Sequence, residues 1–201
     1  MLKVVSTLFA ATLLNAIPAV AADAKQELQQ KLESMQSLQA NFSQQVSADN
    51  GDVLQQLTGE LTIQRPNKMR WKTNPPDDTL MIASGDTVWY YNPFVEQVTI
   101  YQQQDATANS PMLLLLTGSD EQWQGYQVTE SAPDEYHIVS DTAESELNLG
   151  FTNDMLTDIE LQQQGGDTIT LELTDVAVNP SLERQLFTFD VPDGVDVDDQ
   201  R

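Results

Sequence analysis

The sequence predicts a mainly β protein: an antiparallel sheet of about 11 short strands curled into an open or closed barrel, with one helix ahead of it and one short helix inside the strand series. Three observations carry that expectation. Apolar and polar residues alternate with period two from Leu38 onward. Turn-forming groups such as Asp49-Asn50-Gly51-Asp52, Asn74-Pro75-Pro76 and Asn92-Pro93 punctuate the alternation at near-regular intervals. Helical spacing occurs just before the first strand. Neither a linker nor a repeat interrupts the pattern, so residues 23–201 are expected to form a single domain behind a leader.

The leader comprises residues 1–22. A basic start at Lys3, a mostly apolar run from Val4 to Leu14 and small residues from Ala16 to Ala22 read as a secretory signal peptide. Cleavage after Ala21 or Ala22 fits, and Ala22 is favoured because Asp23 then becomes an N-cap. The run is shorter than the ~20 residues a spanning helix needs, and Asn15 and Pro18 interrupt it, which argues against an anchor.

From Ala24 to Gln36, Leu28, Leu32 and Met35 recur at spacings of four and three, with Gln, Lys and Glu opposite them. That is an amphipathic helix. Leu38, Ala40, Phe42 and Val46 then alternate as a strand, and Asp49 to Asp52 turns the chain into an antiparallel return from Val53 to Gln64. A meander follows at Met69 to Thr73, Thr79 to Ala83, Thr87 to Tyr91 and Val95 to Tyr101. Ser110 caps and Pro111 opens a short helix, Met112 to Leu116, which is apolar on every side. Strands resume near Trp123 to Val128, Glu135 to Val139, Leu147 to Phe151, Met155 to Leu161, Ile169 to Leu173 and Leu186 to Val191.

A formal charge of −22, with no Lys or Arg between Lys72 and Arg184, predicts no nucleic-acid partner. Cysteine is absent, so an exported product relies on its core rather than on disulfides. The same absence means that the chain cannot carry the acylated N-terminal cysteine of a bacterial lipoprotein.

An enzyme needs acid, base, nucleophile or metal ligands gathered in one place. His137 is the one histidine, lies in a strand pattern between Tyr136 and Ile138, and reads as structural. Gly-x-Ser-x-Gly and paired-histidine zinc motifs are missing, and no two carboxylates are singled out as a glycosidase-like pair. The acidic tail from Asp193 to Asp199 lacks the spacing and closing glutamate of an EF-hand loop. No catalysis, cofactor or metal is expected.

Apolar residues are plentiful instead. They include Leu28, Leu32 and Met35 on the first helix, Met69, Trp71, Leu80, Ile82, Trp89, Tyr91 and Phe94 along the meander, and Met112, Leu113, Leu114, Leu115 and Leu116 on the short helix. Singly each reads as ordinary core. Together they suit a cavity, because a curled sheet with a helix across its mouth encloses more volume than its own side chains must fill. Arg65 has two open readings: a solvated turn residue, or a donor to the unpaired carbonyls at a helix end.

Five features together resemble the LolA family, the periplasmic carriers of outer-membrane lipoproteins: the opening helix, the Arg65-Pro66-Asn67 turn with Trp71, the Trp89 to Val98 hairpin, the Asp105-Ala106-Thr107-Ala108-Asn109-Ser110-Pro111 approach to the short helix, and the close from Gly194 to Arg201. The resemblance implies an unclosed barrel covered by the N-terminal helix and short lid helices, with an apolar cavity for acyl chains. It makes Arg65 a lid-lock residue bonded to carbonyls near Leu32, Leu115 and Leu116. Met69 stands where the family often has Phe, a departure that a flexible apolar side chain can accommodate. The implied partners are acylated lipoprotein cargo, an inner-membrane ABC-type release complex and an outer-membrane lipoprotein receptor, served by a monomer in a Gram-negative periplasm. The alternative reading is a general periplasmic small-hydrophobe or lipid-binding protein.

Overall fold

Period-two alternation becomes one 12-stranded sheet in the computed structural model, which describes residues 18–103, 115, 123–141, 145–163 and 166–201. The strands are β1 (Ser37–Ser47), β2 (Val53–Gln64), β3 (Lys68–Thr73), β4 (Leu80–Ser84), β5 (Thr87–Asn92), β6 (Gln97–Gln102), β7 (Tyr126–Ala132), β8 (Glu135–Ser140), β9 (Ser145–Thr152), β10 (Met155–Gln163), β11 (Thr168–Val178) and β12 (Asp196–Asp199). Their spatial order is β12-β6-β5-β4-β3-β2-β1-β11-β10-β9-β8-β7. Neighbours run antiparallel except β12, which joins β6 in parallel. The end strands β7 and β12 do not pair with each other, so the barrel is unclosed.

Two differences from the sequence reading concern the C-terminus. Leu186 to Val191 is not a strand: Arg184–Phe187 forms a 3-10 turn, and Phe187 is buried. Its alternation reflects packing on one face, which needs no paired strand. The acidic tail supplies β12 instead, with Asp196 N–H donating to Glu96 and Gln200 N–H to Ile100. A short charged strand at a sheet edge also discourages pairing with other chains.

The β1–β2 hairpin sets the register of the whole sheet. Gly51, at φ +86, closes its turn, and Asn50 Oδ1 accepts from Asp52 N–H at 3.0 Å. Leu38 then faces Ile63, Ala40 faces Leu61 and Phe42 faces Gly59. A Cβ at Gly59 would lie 2.1 Å from the Lys72 carbonyl oxygen and 2.5 Å from the Phe42 ring. The missing side chain lets Phe42 lie across its own partner strand and stack on Trp71, with ring centroids 4.3 Å apart. Gly59→Ala is therefore expected to destabilise the fold by about 1–3 kcal/mol through overpacking, read as a lower urea midpoint with unchanged slope.

Both faces of the β3–β6 region are covered. Met69, Ala83 and Val88 share one face and join the main core, while Ile82 alternates to the other. On that convex face the C-terminal segment packs down: Phe187 lies against Lys68, 5.8 Å from Nζ to the ring centroid, and Phe189 lies 5.9 Å from Tyr91. Ile82, Val98, Ile100 and Phe187 are all buried.

Helix α1 (Pro18–Ser34) lies over the concave face and packs most closely against β7. It begins ahead of Asp23, which is therefore inside the helix rather than its N-cap. Ala24, Leu28 and Leu32 are its buried positions, and Met35, just past its end, continues the stripe at i, i+4, i+8 and i+11. Lys31 Nζ is shared between Asp134 and Asp154, both at 2.8 Å. Those two bonds raise the Lys31 pKa, outweighing the opposing effect of burial. A base whose pKa is higher when folded adds stability that is complete below the ordinary lysine value and is lost as pH rises through the folded one. Lys31→Met should thus cost about 1 kcal/mol at neutral pH, and that deficit should shrink in strongly alkaline buffer, as measured by urea unfolding across pH.

Candidate functional site: the apolar interior beneath the first helix

The interior is built by two periodicities meeting. Helical spacing turns Leu28 (0 % exposed), Leu32 (2 %) and Met35 (4 %) downward, and strand alternation turns Leu38, Ala40, Leu61, Ile63 and Met69 upward to meet them. Trp71 is half-buried and packs against the same cluster. Leu115 is also part of it, 3 % exposed. Met112, Leu113, Leu114 and Leu116 lie outside the described residues.

Leu32, Met35, Leu38, Ile63, Arg65, Leu115 and Leu156 surround a cavity of about 10 Å³. That is room for about one water molecule, so these side chains leave little space between them. Six of the seven are apolar. The exception is Arg65, at the β2–β3 turn, whose Nε donates to the Met35 carbonyl at 3.1 Å. Its backbone N–H also donates, to the Gln36 carbonyl at 2.9 Å. Burial pulls the guanidinium pKa down, and the Glu33 carboxylate pushes it back up. Of the two sequence readings, donation to a helix-end carbonyl is the arrangement present.

The accepting carbonyl belongs to Met35, three residues beyond Leu32 and just past the end of α1. Leu32 O is taken by Met35 N–H at 3.2 Å in the closing turn of α1, which leaves Met35 O as the carbonyl available at the helix exit. Leu115 lines the same cavity, and Leu116 is outside the described residues.

Asn179, absent from the sequence-based candidates, organises the same helix exit from the other side. Its Oδ1 accepts from Gln36 N–H at 2.8 Å and Ser37 N–H at 3.2 Å, and its Nδ2 donates to Ser34 O at 3.0 Å. Asn179 has φ +57, a left-handed conformation that asparagine tolerates better than most residues. No local pattern in the sequence pointed to a partner so far away in the chain.

Several apolar candidates face elsewhere. Leu80, Ile82, Trp89 and Tyr91 alternate onto the convex face with the C-terminal segment, and Phe94 is 68 % exposed in the β5–β6 turn. Burial on both sides of this meander makes period two unable to say which face is concave. His137 is also on the convex side of the sheet, away from the buried Tyr136 and Ile138. Its Nδ1 lies 2.7 Å from Asn148 Oδ1, and Asn148 Nδ2 donates to Glu160 at 2.9 Å. This is a cross-strand polar ladder on β8, β9 and β10, consistent with a structural residue.

Comparison with known proteins points in one direction. The family described as "Outer membrane lipoprotein carrier protein LolA" matches residues 33–190. An outer-membrane lipoprotein carrier protein of Idiomarina loihiensis is 48 % identical, over 88 % of this chain and 88 % of its own. The protein of that name in Proteus mirabilis is 37 % identical, over 100 % of both chains. Among solved structures, an uncharacterized conserved protein from Thermus thermophilus is similar at a TM-score of 0.52 and 14 % identity, over 87 % of this chain and 98 % of that one, a likeness of fold alone.

Proposed function

Because the chain belongs to the LolA family of outer membrane lipoprotein carrier proteins, we propose that it is a periplasmic chaperone that shields the acyl chains of lipoproteins and delivers them to the outer membrane. The observation that carries this reading is the apolar interior under α1, spanned at one end by the Arg65 to Met35 hydrogen bond.

Burying each methylene is worth ~0.8 kcal/mol, so a multi-acyl anchor in water is penalised by tens of kcal/mol and needs a shield. A shield that binds without limit would never deliver. The arrangement suits both needs: apolar walls supply affinity, and closure of the empty interior offsets part of it. A charge-assisted bond such as that of Arg65 contributes about 1.5–3 kcal/mol to that closure.

In this reading residues 1–22 are the export signal and residues 23–201 the carrier. Cargo comes from an inner-membrane ABC-type release complex and passes to a lipid-anchored receptor at the outer membrane. The protein acts as a monomer without catalytic turnover. Inner-membrane vesicles carrying newly acylated lipoprotein, incubated with the purified protein and ATP, should yield a soluble one-to-one complex that hands its cargo to outer membranes. Recovery of free lipid with no lipoprotein release would favour the general lipid binder instead.

A further inference from the structure

The bonds that hold α1 are unevenly placed. At the middle of the helix, Lys25 Nζ donates to the Trp123 carbonyl and, at 3.0 Å, to that of Tyr126, where β7 begins. In the last turn, Lys31 is held by Asp134 in the β7–β8 turn and Asp154 in the β9–β10 turn. At the exit, Asn179 grips Ser34, Gln36 and Ser37 from the end of β11. All three attachments lie on the β7–β11 half of the sheet. Toward the β2–β6 half, Arg65 supplies the polar tie, among the described residues.

An unclosed sheet with free edges at β7 and β12 can change its curvature by separating its two halves, and a helix attached three times to one half moves with that half. Resting on the carrier reading, we infer that α1 is a stationary wall of the cavity and that cargo enters as the β3–β6 half swings away from it. Lys31 and Asn179 are then positioning residues: they present the Met35 carbonyl where Arg65 can reach it. Arg65 joins two bodies that move relative to each other, rather than a moving helix to a fixed barrel. Asn179 fits this task because both ends of its amide are used and its backbone conformation holds the amide against the helix exit.

The chain has no cysteine, so spin labels can be placed in pairs on the full chain. One label goes on exposed Gln30 of α1, and the other on exposed Thr129 of β7 or exposed Asp86 in the β4–β5 turn. Distances are measured with the protein empty and with a synthetic diacylated lipopeptide. The Gln30 to Thr129 distance should stay constant while Gln30 to Asp86 lengthens by several ångströms. A lipopeptide-dependent change in Gln30 to Thr129 as large as that in Gln30 to Asp86 overturns the inference.

Asn179→Gly keeps the positive φ and removes the amide, so it should broaden the Gln30 to Thr129 distribution of the empty protein. Asn179→Asp keeps the two acceptor bonds and should narrow it again. An unbroadened Asn179→Gly distribution removes Asn179 from the role. Should the lipopeptide not bind, the carrier reading fails, and the empty protein still decides the anchoring: a narrow wild-type distribution that broadens in Asn179→Gly supports it, and a broad one overturns it.

Discussion

Arg65→Leu is expected to leave the protein folded and able to take up lipoprotein, yet to hold its cargo when presented with outer membranes. The substitution removes the Nε donor to Met35 O while keeping an apolar stem beside Leu32 and Ile63. Closure of the empty state then loses about 1.5–3 kcal/mol, which biases the open, cargo-holding form by about 10- to 150-fold. The measurement is the fraction of lipoprotein transferred per unit time, alongside the amount of soluble complex formed. Transfer at the wild-type rate would remove Arg65 from closure. The backbone bond from Arg65 N–H to Gln36 O survives the substitution, so the turn itself should keep its place.

Leu32→Glu is expected to have the opposite signature: little soluble complex forms in the first place. Leu32 is 2 % exposed and faces the cavity with Met35, Leu38 and Leu156. A carboxylate there must either be buried among hydrocarbon, at a cost of several kcal/mol, or push α1 away from the sheet. Acyl chains then meet a charged or hydrated wall. Leu32→Met, which conserves volume, should cost under about 1.5 kcal/mol and keep uptake. Near-normal complex formation by a folded Leu32→Glu protein, checked by circular dichroism, would place the acyl chains elsewhere. The two substitutions together separate entry from exit, because one alters the wall that cargo touches and the other a bond that competes with cargo.

Local chemistry by itself determined most of the architecture. Helical spacing of Leu28, Leu32 and Met35 identified the buried stripe of α1, and alternation with Asn-Gly and Asn-Pro turns identified β1 to β11 within a few residues, since both periodicities are properties of adjacent side chains. The family resemblance rested on short motifs and was equally legible. What only the tertiary structure decided was direction and partnership. Ala83 and Ile82 are neighbours in a strand buried on both faces, and their order in the chain does not say which one looks into the cavity. β12 is four residues, three of them Asp, whose pairing depends on β6 rather than on their own preference for strand. The helix exit is the clearest case. Arg65 and Asn179 approach the Ser34 to Ser37 junction from opposite sides, brought there by β2 and β11 flanking β1 in the sheet. A hydrogen bond between residues so distant in sequence leaves no periodic trace, because it exists only once the sheet has placed its two ends together.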